Sequence, residues 1–151
     1  MGIPLQKNMN RASWLLALAL YSCTPRPEPL VYGTDGCAYC KMTLTDVRYG
    51  AEIVTFKGRV IKFDDTNCLL HYIHSEGIAE QDIYQLLVRD YSNPGAGLIA
   101  AKESHYLLSD SLRSPMASGV AAFESADSMQ VWKKRVHGIF LTWGEVVTQF
   151  K

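Results

Sequence analysis

No apolar stretch in this chain reaches the roughly 20 residues that a transmembrane helix needs. The clearest run, Trp14-Leu-Leu-Ala-Leu-Ala-Leu-Tyr21, is far shorter. Long runs of lysine and arginine are also missing, and the formal net charge is zero. That excludes the basic footprint of a nucleic-acid binder and the charge pattern of a protein that adheres to anionic lipid. No Gly-x-Ser-x-Gly, phosphate loop or His-Glu-x-x-His occurs, so the usual signatures of hydrolase and nucleotide chemistry are absent. Asp64 and Asp65 are paired carboxylates, but they fall at an expected helix start, where capping and the helix dipole account for them. Cysteine is scarce as well: four in 151 residues, too few for a disulfide framework.

The chain does have a clear targeting pattern at its start. Lys7 and Arg11 form a positive segment, the apolar run follows, and Leu20-Tyr21-Ser22-Cys23 resembles the lipobox of bacterial lipoproteins. Residues 1–22 therefore read as a lipoprotein signal peptide and Cys23 as the acylated first mature residue. Cleavage there removes two basic residues and no acid, leaving the remainder at −2. Thr24-Pro-Arg-Pro-Glu-Pro29 reads as a stiff tether, making residues 23–32 a spacer between lipid and folded body. Thr24 is not acidic, which by the usual sorting rule points to a bacterial outer membrane, with the body facing the periplasm.

From Arg48 the pattern turns to strands. Arg48–Phe56 and Val60–Phe63 flank a turn at Lys57-Gly58-Arg59, and a helix follows from Cys68 to its stop at Gly77. Tyr84–Asp90 reads as a third strand, and Asn93-Pro-Gly-Ala-Gly97 as a break. Strands are expected at Leu98–Lys102 and His105–Leu108, a helix from Glu124 to about Val136, a strand at Gly138–Thr142 and a short closing helix. Phe63-Asp-Asp-Thr-Asn-Cys-Leu-Leu-His-Tyr72 aligns with Phe123-Glu-Ser-Ala-Asp-Ser-Met-Gln-Val-Trp132. This short internal repeat suggests an α+β body, residues 33–151, made of two small strand-strand-helix-strand units at about 33–92 and 93–151.

Chemistry concentrates in Cys37-Ala-Tyr-Cys40-Lys-Met42, two thiols and a thioether in a loop that follows Gly33-Thr-Asp-Gly36. Thiolate with thioether is a soft ligand set that favours Cu(I), whereas zinc prefers thiolate, imidazole and carboxylate. Met116, in Ser114-Pro115-Met116, adds a second thioether. Two other readings compete. One is a redox dithiol at Cys37 and Cys40, but a thioredoxin-like protein needs a strand before such a motif and a long helix after it. The other is a zinc staple from Cys37, Cys40, Cys68 and His71. Against it, Cys68 reads as a small core hydrophobe and His71 and His74 as solvent-facing. Met42 divides between ligand and core filler, Met129 falls at core spacing, and His105 and His137 read as structural.

These residues together resemble the NosL-type copper lipoproteins that serve nitrous oxide reductase assembly. The resemblance is carried by the lipobox ending at Cys23, Cys40-Lys41-Met42, Phe63-Asp64-Asp65 with Cys68, and Ser114-Pro115-Met116 followed by Ala122-Phe123. It implies two small ββαβ units, similar to part of the organomercury lyase fold, and Cu(I) held by Cys40 and Met116. Two departures stand out. Many members have only the cysteine at the Cys40 position, and glycine is common where this chain has Lys41. The sequence leaves open whether Cys37 adds a ligand or forms a disulfide with Cys40. The expectation is a lipid-anchored Cu(I) metallochaperone, not an enzyme. Its ligands would be Cys40 and Met116, with Cys37 and Met42 as further candidates, and its client nitrous oxide reductase.

Overall fold

The computed structural model describes residues 24–150, together with Gly2. The signal segment and Cys23 lie outside the described residues. Among those described are seven strands and three α-helices: β1 (Ala51–Thr55), β2 (Val60–Phe63), α1 (Thr66–Glu76), β3 (Ile83–Arg89), β4 (Leu98–Ala100), β5 (His105–Leu108), β6 (Val120–Phe123), α2 (Ala126–Val136), β7 (Ile139–Leu141) and α3 (Trp143–Gln149). No helix among them is long and apolar enough to cross a membrane.

The strands form two small antiparallel sheets, ordered β2-β1-β3-β4 and β6-β5-β7. In each, the first strand of a ββαβ run lies between the other two. The repeat seen in the sequence is thus a repeat of topology: Phe63 ends β2 as Phe123 ends β6, and α1 and α2 each begin three residues later. Both helices are capped by a side chain, Asp65 accepting from the Asn67 N–H and Ser125 from the Ser128 N–H. Both end on a left-handed residue, Gly77 and His137.

The units differ where it matters for the site. The β1–β2 connection is a tight turn at residues 56–59, with Gly58 at φ 78°. The β5–β6 connection is much longer, residues 109–119, and carries Ser114-Pro115-Met116. The strand expected over 98–102 stops at Ala100, because Ala101–Glu103 coil into a 3-10 turn whose Ala101 carbonyl accepts the Tyr106 hydroxyl at 2.7 Å. β4 pairs with β3 and so extends the first sheet.

One apolar cluster lies between the first sheet and α1 and includes Leu44, Ile53, Phe63, Leu69, Val88 and Tyr106. A second lies under α2, around Leu107, Phe123 and Met129, with Trp132 packed against it. The sheets are tied where Asp90 bridges to Ala122 and the Tyr91 N–H donates to the Ala122 carbonyl at 2.8 Å. The proline-rich segment is fastened at its far end. The Glu28 N–H donates to Glu52 at 3.1 Å, Lys62 donates to the Pro29 carbonyl at 2.9 Å, and Leu30 is buried.

Candidate metal centre

Cys37 and Cys40 sit in a tight hairpin rather than an open loop. Gly36 bridges to Thr43, the Cys37 N–H donates to the Met42 carbonyl at 2.8 Å, and the Lys41 N–H donates to the Cys37 carbonyl at 3.0 Å. The Ala38 N–H donates to the Lys62 carbonyl at 2.9 Å, which pins the hairpin to β2. No helix follows the pair, as a thioredoxin-like site would require. Reversing the chain within so few residues puts Lys41 at φ 65°, in the left-handed region that disfavours side chains. That conformation gives a physical reason for glycine at this place between cysteine and methionine. Lys41→Gly is expected to stabilise the fold by about 0.5–1 kcal/mol. Urea unfolding beside Lys41→Ala checks this, and a Gly variant no more stable than the Ala variant would refute it.

Cys68 comes from the first turn of α1, one turn beyond the capping Asp65. The sulfurs of Cys37, Cys40 and Cys68 all lie within 4.8 Å of one another, and all three are free thiols. A metal with bonds of about 2.3 Å to sulfur draws three sulfurs to about 4 Å apart, so the cluster needs only a small contraction to close on an ion. Cys37 and Cys68 are buried, at 2% and 0% exposure, while Cys40 is partly open to solvent. The ion would therefore enter and leave on the Cys40 side.

The three thiols do not ionise alike. Cys37 is held well below the ordinary thiol range, first because Cys68 donates a hydrogen bond to it, with backbone N–H groups of Asp64, Cys40 and Tyr39 acting in the same direction. Cys68, having its proton committed to Cys37, is pushed far up. Burial raises Cys40. The buried Asp64 carboxyl beside them is pushed up to about 6 by desolvation. Closing all three sulfurs on a metal releases the remaining protons, so affinity rises with pH.

The other expected residues divide. Met116 is half-buried and packs against the same apolar cluster as Cys40. Met42 is 55% exposed. His71 is not a member of the thiol group; its ring stacks on Tyr39, with centroids 5.3 Å apart. Met129 is buried in the second core cluster. Cys68 was legible as a core hydrophobe or, with Cys37, Cys40 and His71, as a zinc ligand, but not as a partner of Cys37 and Cys40 in a Cu(I) site; the signal that could have singled it out is its place in the repeat, where the second unit has Ser128.

Asp65 is more than a cap. Its carboxylate is fully buried and accepts the Ser118 hydroxyl at 2.9 Å, as well as the Asn67 N–H at 3.2 Å. The Met116 N–H is directed at the same carboxylate. Desolvation pushes the Asp65 carboxyl up, against the pull of these donors.

Paired ββαβ units with three converging sulfurs at the start of the first helix define a small α+β protein with a soft-metal centre. The chain belongs to the NosL family, whose model matches residues 31–150. Among solved structures it is similar to the copper chaperone NosL from Shewanella denitrificans, with a TM-score of 0.66 at 16% identity, over 80% of this chain and 95% of that one. A comparison with curated proteins finds no match.

Proposed function

We propose that this protein is a Cu(I) carrier, anchored through an acylated Cys23 to a bacterial membrane, outer by the sorting rule, with its body in the periplasm. It delivers copper to a copper enzyme. The observation that carries the reading is the convergence of Cys37, Cys40 and Cys68 without a fourth histidine or carboxylate ligand in the group. Three sulfurs, with Met116 packed against the same apolar cluster, suit the low coordination and soft preference of Cu(I) better than the closed four-ligand cage of structural zinc. The solved relative named a copper chaperone supports the same reading. Partial exposure of Cys40 offers a receiving protein's ligand a place to attack while the buried sulfurs still hold the ion. The client, nitrous oxide reductase, follows from the resemblance of the motifs to those of lipoproteins serving that enzyme.

Thiol–disulfide exchange fits the geometry less well. The thiolate forms on buried Cys37, while the accessible Cys40 keeps its proton. An attacking thiol needs both ionisation and access. The protein is therefore read as a non-enzyme.

Anaerobic Cu(I) titration of the protein against a competing chelator tests the proposal. Tight one-to-one binding is expected, weakened at least tenfold by Cys40→Ser. A Cys40→Ser variant that binds as tightly as wild type would end the carrier reading.

A further inference from the structure

The Met116 segment comes from the other ββαβ unit and packs against the apolar cluster that includes Cys37 and Cys68, and the structure shows what holds it there. Ser114, Pro115, Met116 and Ala117 form a turn closed by the Ala117 N–H on the Ser114 carbonyl at 3.0 Å. Ala117 follows at φ 53° and Gly119 at φ 66°. A Cβ on Gly119 would stand 2.9 Å from the Ser109 carbonyl oxygen. A loop with a non-glycine residue in the left-handed region does not take that shape unaided; something outside it must impose the shape.

That something is on α1. The Ser118 hydroxyl donates to both carboxylate oxygens of Asp65, at 2.9 and 3.2 Å, and the Met116 N–H faces the same group. With the Ser118 proton so committed, Ser114 is the donor across the 2.9 Å contact between the two hydroxyls. Ser114 in turn accepts the Gly119 N–H at 3.2 Å, and Ser118 accepts the Val120 N–H at 3.2 Å. The Ser114 and Ser118 hydroxyls at the loop's base are thereby referred to one buried carboxylate, three residues before Cys68 at the start of the same helix. The second unit has no counterpart: Ser125 at the matching cap is exposed and bonds only within its own turn.

We propose that Asp65 is the positioning residue of the centre, fixing the Met116 loop against the first turn of α1 so that the thioether is presented to the ion held by the three thiols. This rests on the Cu(I) reading above. A helix cap alone would not need a buried carboxylate with two free edges, since asparagine or serine caps as well. The second oxygen serves the loop.

The test is a double-mutant cycle on the full-length protein in detergent, reading Cu(I) affinity by anaerobic chelator competition for wild type, Asp65→Asn, Met116→Ala and the double variant. Asparagine keeps the cap through its one oxygen but loses the second oxygen that accepts the Ser118 hydroxyl. Each single change is expected to weaken binding about tenfold, and the double variant no more than either single one, because Asp65 acts through Met116. Ser118→Ala should show the same coupling and carries the test if Asp65→Asn does not fold. A second readout is copper-edge X-ray absorption on selenomethionine-labelled protein. A copper–selenium contact present in wild type should vanish in Asp65→Asn while the copper–sulfur shell remains.

Losses that add in the double variant would overturn the proposal, since Asp65 would then act on the thiols or on the fold. Wild-type affinity in Asp65→Asn with weakened Met116→Ala would overturn it too and leave the carrier reading intact. An inert Met116→Ala would remove the role of the loop, and that of Asp65 with it, while the three-thiol site is judged separately by Cys40→Ser.

Discussion

Cys68→Ser is expected to weaken Cu(I) binding by on the order of 100-fold while leaving the metal-free fold standing. The fold-change follows from the share one thiolate holds in a metal site: structural zinc sites supply about 10–16 kcal/mol through four ligands. One ligand is then worth about 3 kcal/mol, which is roughly a hundredfold. The fold should survive because serine replaces sulfur at nearly constant volume, and Cys37 offers the new hydroxyl a hydrogen-bond acceptor in place of the thiol's own bond. The experiment pairs chelator competition with urea unfolding of the metal-free protein. A variant that binds Cu(I) like wild type would make Cys68 a packing residue, and Cu(I) would then be held by the hairpin and Met116 alone. Cys68→Ala sharpens the comparison, because it removes the same ligand and also the hydrogen bond that lowers Cys37.

The repeat explains why so much of the fold was legible and why Cys68, weighed only for zinc or for packing, was not assigned to the Cu(I) set. Phe63 and Phe123 each close a strand, a polar residue caps each helix, and both patterns are local, so alternation and capping chemistry located them. Cys68 lies fully buried among Leu69, Leu70 and Phe63. Its surroundings in sequence are those of any core cysteine; only the tertiary return of the 37–42 hairpin onto β2 brings two more sulfurs to it. The same holds for Asp65. Capping was legible from its place before the helix, but the second use of its carboxylate depends on the 109–119 connection arriving from the other unit. Met116 stood out through its Ser-Pro-Met setting and the family resemblance. The exposure of Met42 could not be read from a spacing that suits ligand and core alike. The β4 strand shows the converse limit: Leu98–Lys102 is apolar enough to continue, yet the Tyr106 hydroxyl claims the Ala101 carbonyl and turns the chain.

The tether contact supplies the second large effect, one on stability against pH. Glu52 is the second residue of β1 and has no exposure, one oxygen accepting the Glu28 N–H and the other without a partner. Burial pushes its carboxyl up to about 7, against the help of the Glu28 N–H and the charge of Lys62. In the unfolded chain the same group releases its proton near 4.5. Between those values the native state binds more protons than the unfolded state, so this group's contribution is fully present below about pH 4.5 and is lost as pH rises through about 7. The gap corresponds to about 3 kcal/mol. Glu52→Gln keeps an acceptor for the Glu28 N–H and carries no charge, so it should be the more stable protein at pH 8 by up to about 3 kcal/mol and nearly equal to wild type at pH 4.5. Asp64, also raised by burial, acts with the same sign, whereas Asp35, lowered by the Val31 N–H and Lys62, and Asp46, lowered by Arg48, act with the opposite one. The quantity to measure is therefore the difference between variant and wild type in urea unfolding across that range, which cancels the shared carboxylates. A constant difference from pH 4.5 to 8 would show that Glu52 is already ionised in the native protein. A difference that grows with pH would show that burial keeps Glu52 neutral in the native protein until near pH 7, although the Glu28 N–H favours the ionised form.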